Sequence, residues 1–165
     1  MGHQPVEGIH HLDLVVSDLE RSLTFYRGLL RPLGYVQEGP IRGERGEVVV
    51  YLNRIAGDSA IGLREAQSDA HEVPYDRYGV GVHHVAFTAP SRAVVDERAA
   101  WLREQGVAME SGPEDYDYIP GYYAVFFADP DGIKLEIVHT PEDPDLAAAV
   151  RALAERLAGL EARLT

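Results

Sequence analysis

The chain has 165 residues, of which 45% are hydrophobic and 25% charged, a composition typical of one globular domain with a substantial core. Its formal net charge of −12 disfavours a surface for nucleic-acid phosphates, and no segment approaches the roughly 18 apolar residues of a membrane span. It has no cysteine, so a transition metal would need histidine and carboxylate ligands. The amino terminus lacks a signal-peptide pattern, and we expect a cytoplasmic protein.

The first half of the chain begins with a strand pattern at residues 11–16, followed by a capping box from Ser17 to Glu20. Apolar residues at steps of four and three then predict an amphipathic helix that ends at Gly34. Three further segments are typical of strands: residues 35–37, which is the weakest, 48–52 and 60–64.

The second half repeats this plan. A strand over residues 84–88 leads to a helix from about 93 to 105. The remaining strand candidates are residues 107–109, 122–127 and 133–138. The last two are joined by Asp129-Pro130-Asp131-Gly132, whose proline and glycine favour a tight turn. Each half therefore has the order strand, helix and three strands, and residues 66–80 form a polar linker.

A seven-residue phrase occurs once in each half of the chain. Residues 8–14 read Gly-Ile-His-His-Leu-Asp-Leu, and 73 residues later residues 81–87 read Gly-Val-His-His-Val-Ala-Phe. A copy near half-length indicates two similar modules related by a pseudo-twofold axis. Each module then carries a histidine pair at the start of its first strand.

Strand alternation places three potential metal ligands, His11, His84 and Glu136, on the sheet faces away from the helices. The other members of the pairs, His10 and His83, are expected to pack on the helix side. A buried carboxylate needs a cation, a proton or a hydrogen-bond donor, and a divalent metal meets that need at Glu136. The structural alternative is two core histidines and an edge carboxylate.

These motifs resemble the vicinal oxygen chelate superfamily, which includes glyoxalase I, extradiol dioxygenases, methylmalonyl-CoA epimerase, and the fosfomycin and bleomycin resistance proteins. The resemblance covers roughly residues 8–140, and its anchors are residues 11–19 with Phe25-Tyr26, 84–87 and 127–136. It implies an α+β fold in which two βαβββ modules form a half-open barrel around a shared cavity. We expect a single domain over 1–141, with modules at about 8–66 and 81–140.

By the same resemblance, His11, His84 and Glu136 would bind one divalent ion, which could be Fe, Mn, Zn, Ni or Co. This is the 2-His-1-carboxylate set of the dioxygenases, and it leaves positions for substrate. Gly62 stands where glyoxalase I has a fourth ligand, and Phe126 stands where the dioxygenases have a catalytic tyrosine ten residues before the glutamate.

Other residues are candidates for catalysis or substrate binding. Asp13 shares a face with His11 and could be a general base, an acceptor behind a ligand, or a carboxylate bonded to a neighbour. Tyr123, just out of register with Phe126, is a second catalytic candidate. Arg64 could anchor an anionic substrate or be an ordinary edge charge. The remaining substrate-binding candidates are the tyrosines of a loop that could act as a lid or simply be solvated: Tyr116, Tyr118 and Tyr122.

Residues 142–165 predict a carboxyl-terminal helix with a leucine seam at heptad spacing. The seam favours a homodimer contact, and packing of the helix on its own domain is the alternative.

The function that these features indicate is a metal-dependent enzyme acting on a small oxygen-chelating substrate, with lyase or isomerase chemistry favoured. An extradiol-type ring-cleaving dioxygenase is the first alternative. A binding protein of the drug-resistance type, without catalysis, is the second, and a metal-binding regulatory protein is the third. No nucleic-acid or membrane partner is expected.

Overall fold

The computed structural model describes residues 8–56, 59–67 and 75–141. The predicted carboxyl-terminal helix lies outside these residues. No helix in the described ranges is both long and apolar enough to cross a membrane.

The first module contains β1 (His11–Val16), α1 (Leu19–Leu30), a 3-10 turn (Arg31–Leu33), β2 (Tyr35–Gln37), β3 (Ile41–Arg42), β4 (Val48–Arg54) and β5 (Ala60–Glu65). The second module contains β6 (Val85–Thr88), α2 (Arg92–Glu104), β7 (Met109–Tyr116), β8 (Tyr122–Ala128) and β9 (Lys134–His139). The two-module α+β fold predicted from the repeat is therefore confirmed. The short strand β3 was not predicted, and β7 extends further than expected because Tyr116 still pairs with Tyr122.

Each module builds one sheet with the same strand plan. The first sheet has the order β1-β5-β4-β2, with β3 paired to β4, and the second has the order β6-β9-β8-β7. The first and last strands of each module pair in parallel, and this register sets Asp13 opposite Gly62 and Ala86 opposite Glu136. Gly62 and Glu136 are thus equivalent positions of the two modules, as the sequence alignment of the halves predicted.

The modules pack against each other through their helices. A Cβ atom at Gly28 of α1 would clash with the Trp101 indole of α2, so the absence of a side chain permits this close approach. Phe25 also contacts Trp101, with ring centroids 5.9 Å apart. One continuous core draws buried residues from both modules. On the face of the second sheet opposite the helices, a smaller buried cluster contains Ala124, Phe126 and Val138.

The turn at residues 129–132 of the second module accepts hydrogen bonds from residues of the first module. The fully buried Tyr26 of α1 donates a hydrogen bond of 2.9 Å to Asp129. Ser17 donates through its backbone N–H, at 2.9 Å, and through its hydroxyl to Asp131. The prediction that Ser17 caps α1 is wrong, because Asp18 accepts the capping bond from the Arg21 amide instead.

Candidate metal centre

The second module brings a histidine and a buried carboxylate together. Because Ala86 is paired with Glu136, His84 lies on the same sheet face two residues earlier. The distance from His84 Nε2 to Glu136 Oε2 is 3.4 Å, and Glu136 is only 1% exposed. No lysine or arginine in the described part of the chain forms an ion pair with Glu136. Among the described residues, the carboxylate is therefore buried without a lysine or arginine to compensate it.

Tyr122 holds the other oxygen of this carboxylate. Its hydroxyl donates a hydrogen bond of 2.5 Å to Glu136 Oε1. Burial and the neighbouring Glu136 charge raise the pKa of Tyr122, so the phenol stays protonated and donates. Tyr122 was predicted to contact substrate, and the structure places its hydroxyl on Glu136. One signal in the sequence could have revealed this, since Tyr122 and Phe126 share a face of β8 and Phe126 is paired with Glu136.

Each candidate ligand histidine is paired with the histidine before it. The Nδ1 atoms of His83 and His84 are 2.8 Å apart, and those of His10 and His11 are 2.9 Å apart. These contacts occupy Nδ1 and leave Nε2 of both ligand candidates available. The expectation that His10 and His83 pack on the helix side is wrong, because both are exposed.

His11 lies in the first module, away from the other two predicted ligands. Its ring contacts Tyr51 edge-on, with centroids 5.8 Å apart. Within residues 8–56, 59–67 and 75–141, no group of three histidine, cysteine, aspartate or glutamate side chains could hold a metal ion. One chain therefore assembles His84 with Glu136 but does not add His11 to them.

Asp13 is held by an arginine and a tyrosine. Arg64 and the Tyr51 hydroxyl, the latter at 3.4 Å, both donate to Asp13 Oδ2, and Arg64 also donates to Glu47 at 2.9 Å. A Cβ atom at Gly62 would clash with Asp13 Oδ1, so the glycine makes room for this carboxylate. Asp13 Oδ1 is buried and has no hydrogen-bond partner among the described residues. Both Asp13 and Arg64 are thus ion-paired, and the Oδ1 atom of Asp13 is buried without a hydrogen-bond partner among the described residues.

Tyr123 does not reach the metal-candidate face. Its hydroxyl donates to Asp96 of α2 at 2.7 Å, and the Arg92 guanidinium lies over its ring at 4.6 Å. Tyr123 follows Tyr122 directly in β8, and consecutive strand residues point to opposite faces of the sheet. Because Tyr122 lies on the Glu136 face, Tyr123 points to the helix side. The structure gives Tyr123 a packing environment rather than a place beside Glu136.

The other tyrosines form an aromatic wall next to Glu136. Tyr116 and Tyr118 stack with ring centroids 5.5 Å apart, and Tyr122 lies edge-on to Tyr118 at 5.2 Å. Tyr116 in turn contacts Phe126 at 5.2 Å. Tyr118 is 66% exposed, so the outer ring of the wall is accessible to a ligand.

The donor set at this face fits a divalent metal. One imidazole nitrogen and one carboxylate oxygen converge, and this mixture of ligands suits Mn, Fe, Co, Ni or Zn. An uncompensated buried carboxylate costs free energy that a cation would relieve. Within the described part of one chain, this fit rests on two ligands, His84 and Glu136.

A double βαβββ fold with a histidine–carboxylate pair on the face away from the helices defines the class of vicinal oxygen chelate proteins. The family model of the glyoxalase/bleomycin resistance protein/dioxygenase superfamily matches residues 8–137. The chain therefore belongs to that superfamily, and the resemblance seen in its motifs is confirmed.

Relatives and solved structures agree with this membership. The chain is 32% identical to the Bacillus subtilis protein YqjT over 79% of its length and 97% of that protein. It is 30% identical to a metallothiol transferase FosB of Staphylococcus epidermidis, covering 82% of this chain and 84% of the relative. A putative glyoxalase from Bacillus halodurans matches with a TM-score of 0.67 at 29% identity, over 80% and 95% of the two chains.

A fosfomycin resistance protein FosX from Listeria monocytogenes, solved in complex with Mn(II) and sulfate, matches with a TM-score of 0.59. The match covers 86% of this chain and 98% of that one at 18% identity, and so it supports the shared fold alone.

Proposed function

We propose that the protein is a divalent-metal-dependent enzyme acting on a small oxygen-chelating substrate, with His84, Glu136 and His11 as its metal ligands. The observation that carries this proposal is the buried Glu136 carboxylate, which has His84 Nε2 at 3.4 Å and no cationic side chain among the described residues. The FosB relative is named a metallothiol transferase, which supports a metal at such a site.

His11 would come from a second copy of the chain. His11 is exposed, and its contact with His10 engages Nδ1 rather than Nε2. A twofold dimer in which each first module covers the partner's second module would create two equivalent sites. Each site would then contain His84 and Glu136 of one chain and the partner subunit's His11.

Asp13 would enter the completed site together with His11, because the two residues share one face of β1. Its Oδ1 has no hydrogen-bond partner among the described residues but is buried, so Asp13 could act as a general base only if the completed site gives substrate access to this atom. Arg64, already paired with Asp13 and Glu47, would orient Asp13 rather than bind a substrate anion. The tyrosine wall would contact the body of the substrate, and the bound metal would supply Lewis-acid stabilisation of a developing oxyanion.

Lyase or isomerase chemistry remains the favoured reaction class. It needs a Lewis acid and one base, and the proposed site supplies both through the metal and Asp13. A second candidate is metal-assisted thiol transfer to a small electrophile, which the name of the FosB relatives favours. Ring-cleaving dioxygenation is less favoured because position 126 is phenylalanine and the nearby Tyr122 hydroxyl is bonded to Glu136.

Metal binding is tested first with metal-stripped protein titrated with Mn²⁺ and Co²⁺ by calorimetry. We expect about one equivalent per chain, strongly weakened in His84→Ala and in His11→Ala. His139→Gln is the matched control, since His139 contacts the Ala89 carbonyl instead. Undiminished binding in His84→Ala would refute the ligand assignment. Absence of binding in the native protein would favour a small-molecule binding protein.

The shared site is tested by mixing His11→Ala with His84→Ala protein after subunit exchange. A mixed dimer would contain one intact site, built from His84 of the first variant and His11 of the second. With statistical exchange we expect recovery of about a quarter of an equivalent of tight metal per chain. If each site formed within one chain, mixing would restore nothing.

A further inference from the structure

The repeated phrase contains two histidine pairs, and the proposed function uses only the second member of each. His10 and His83 therefore need an account of their own. They are exposed, so they do not belong to the core, and neither has a place in the proposed ligand set. Both instead contact the ring of the histidine that follows.

The two modules build this contact in the same way. The Nδ1–Nδ1 distances are 2.9 Å in the first module and 2.8 Å in the second. The ring centroids are 5.2 and 5.1 Å apart, and the ring planes meet at 84° and 82°. The surroundings differ, since His11 lies against Tyr51 and His84 against Phe126. One geometry in two different environments indicates that it comes from the histidine pair itself.

We propose that His10 and His83 are positioning residues that fix the ring orientation and the metal-facing nitrogen of His11 and His84. The proposal rests on the proposed function, because it concerns the ligands of that centre.

The chemistry of neutral imidazole supports this role. One ring nitrogen carries the proton and the other carries a lone pair, and a histidine that binds a metal through Nε2 keeps its proton on Nδ1. The His84 Nδ1–H then donates to His83 Nδ1, and His83 carries its own proton on Nε2. When a metal is bound, the lone pair of His84 Nε2 would be directed to the side where Glu136 Oε2 lies, 3.4 Å away in this structure. Partners of this kind behind metal-binding histidines set the tautomer and strengthen metal binding.

The test compares two substitutions at His83. His83→Phe keeps an aromatic ring but removes the Nδ1 acceptor, whereas His83→Asn supplies an amide oxygen that can accept. We expect His83→Phe to weaken Mn²⁺ or Co²⁺ binding about 10- to 100-fold and His83→Asn to recover most of that loss. Tyr78→Phe is the control, because Tyr78 packs on the His83 ring at 5.4 Å and is exposed. Circular dichroism of each variant checks that the fold is retained.

A second readout needs no metal. In ¹⁵N-histidine NMR spectra of the metal-free native protein, we use His11, whose Nε2 has no carboxylate contact among the described residues, and expect its proton on Nδ1; in His10→Phe we expect a mixture of tautomers. A native His11 with its proton on Nε2, or a His83→Phe variant with unchanged metal affinity, would overturn the proposal. If the native protein bound no metal at all, the proposed function would fail, while the tautomer measurement would still decide the positioning role.

Discussion

Replacing Glu136 by glutamine should have opposite effects on the metal-free and metal-bound proteins. Glu136 is 1% exposed, and its described hydrogen-bond donor is the neutral Tyr122 hydroxyl at 2.5 Å. A buried carboxylate with so little compensation destabilises the folded state, whereas a glutamine of the same shape carries no charge and can still accept from Tyr122. We therefore expect Glu136→Gln to raise the stability of the metal-free protein.

The size of this gain follows from the surroundings of Glu136. Burying an isolated carboxylate costs more free energy than the single hydrogen bond from Tyr122 can offset. The nearby His84 imidazole offsets a further part of this cost. We therefore expect Glu136→Gln to raise the free energy of unfolding of the metal-free protein by about 1–3 kcal/mol. For a domain of this length each kcal/mol raises Tm by roughly 2–4 °C. Saturating metal, at about 100 times Kd, should stabilise the native protein by about 2.7 kcal/mol and the variant by much less.

The assay is thermal unfolding at pH 8 with chelator and then with Mn²⁺. Glu110→Gln is the matched control, because Glu110 already pairs with Arg77 at 2.6 Å and with Lys134 at 3.1 Å, so its neutralisation should bring no gain. A metal-free Glu136→Gln protein that is no more stable than the native one would refute the claim that this carboxylate lacks compensation. The argument for a metal at this face would then lose its basis.

Three further predictions concern neighbouring residues. Tyr122→Phe should weaken Mn²⁺ affinity measured by calorimetry about 10-fold or more, because Glu136 Oε1 loses its donor, whereas Tyr123→Phe on the helix side should not. Gly62→Ala should cost about 1–3 kcal/mol in chemical denaturation, because the new Cβ atom displaces Asp13; an unchanged midpoint would contradict the close packing. Tyr26→Phe should cost about 1.5–3 kcal/mol at pH values above the pKa of Asp129, where the carboxylate loses a buried donor. Burial raises the pKa of Asp129 and the Tyr26 hydrogen bond opposes that rise, so this loss should shrink as the pH falls through the pKa of Asp129; a loss that stays constant down to acid pH would refute it.

The element order could be read from the sequence because local patterns decide it. The repeated phrase, the amphipathic helix and the Asp129–Gly132 turn each specify their own structure, and together they predicted both modules. Ser17 was misassigned because its partner, Asp131, lies 114 residues away, and a local capping pattern contains no information on such a contact. The same limit explains β3, since Ile41 and Arg42 form a strand only by pairing with β4.

At the candidate site, alternation predicted which residues share a face but not what their side chains touch. His84 and Glu136 were correctly placed on one face, because the parallel register of β6 and β9 follows from the repeat. Whether His11 joins them depends on how whole modules are arranged, and strand periodicity does not determine this. Tyr122 was assigned to substrate because it was interpreted as part of a tyrosine-rich loop, although it shares a face of β8 with Phe126, the residue paired with Glu136.

The two modules carry their carboxylate on different strands. This difference explains why we expect a metal on only one of the two equivalent sheet faces. In the first module the carboxylate is Asp13 on the first strand, opposite Gly62, and in the second it is Glu136 on the last strand, opposite Ala86. Arg64 neutralises Asp13, so a cation placed there would compete with an existing ion pair. Glu136 has no arginine or lysine partner among the described residues, so a metal ion bound there would supply the missing positive charge. Under the proposed function, the first module would contribute His11 as a ligand, and the second would provide the carboxylate that anchors the metal.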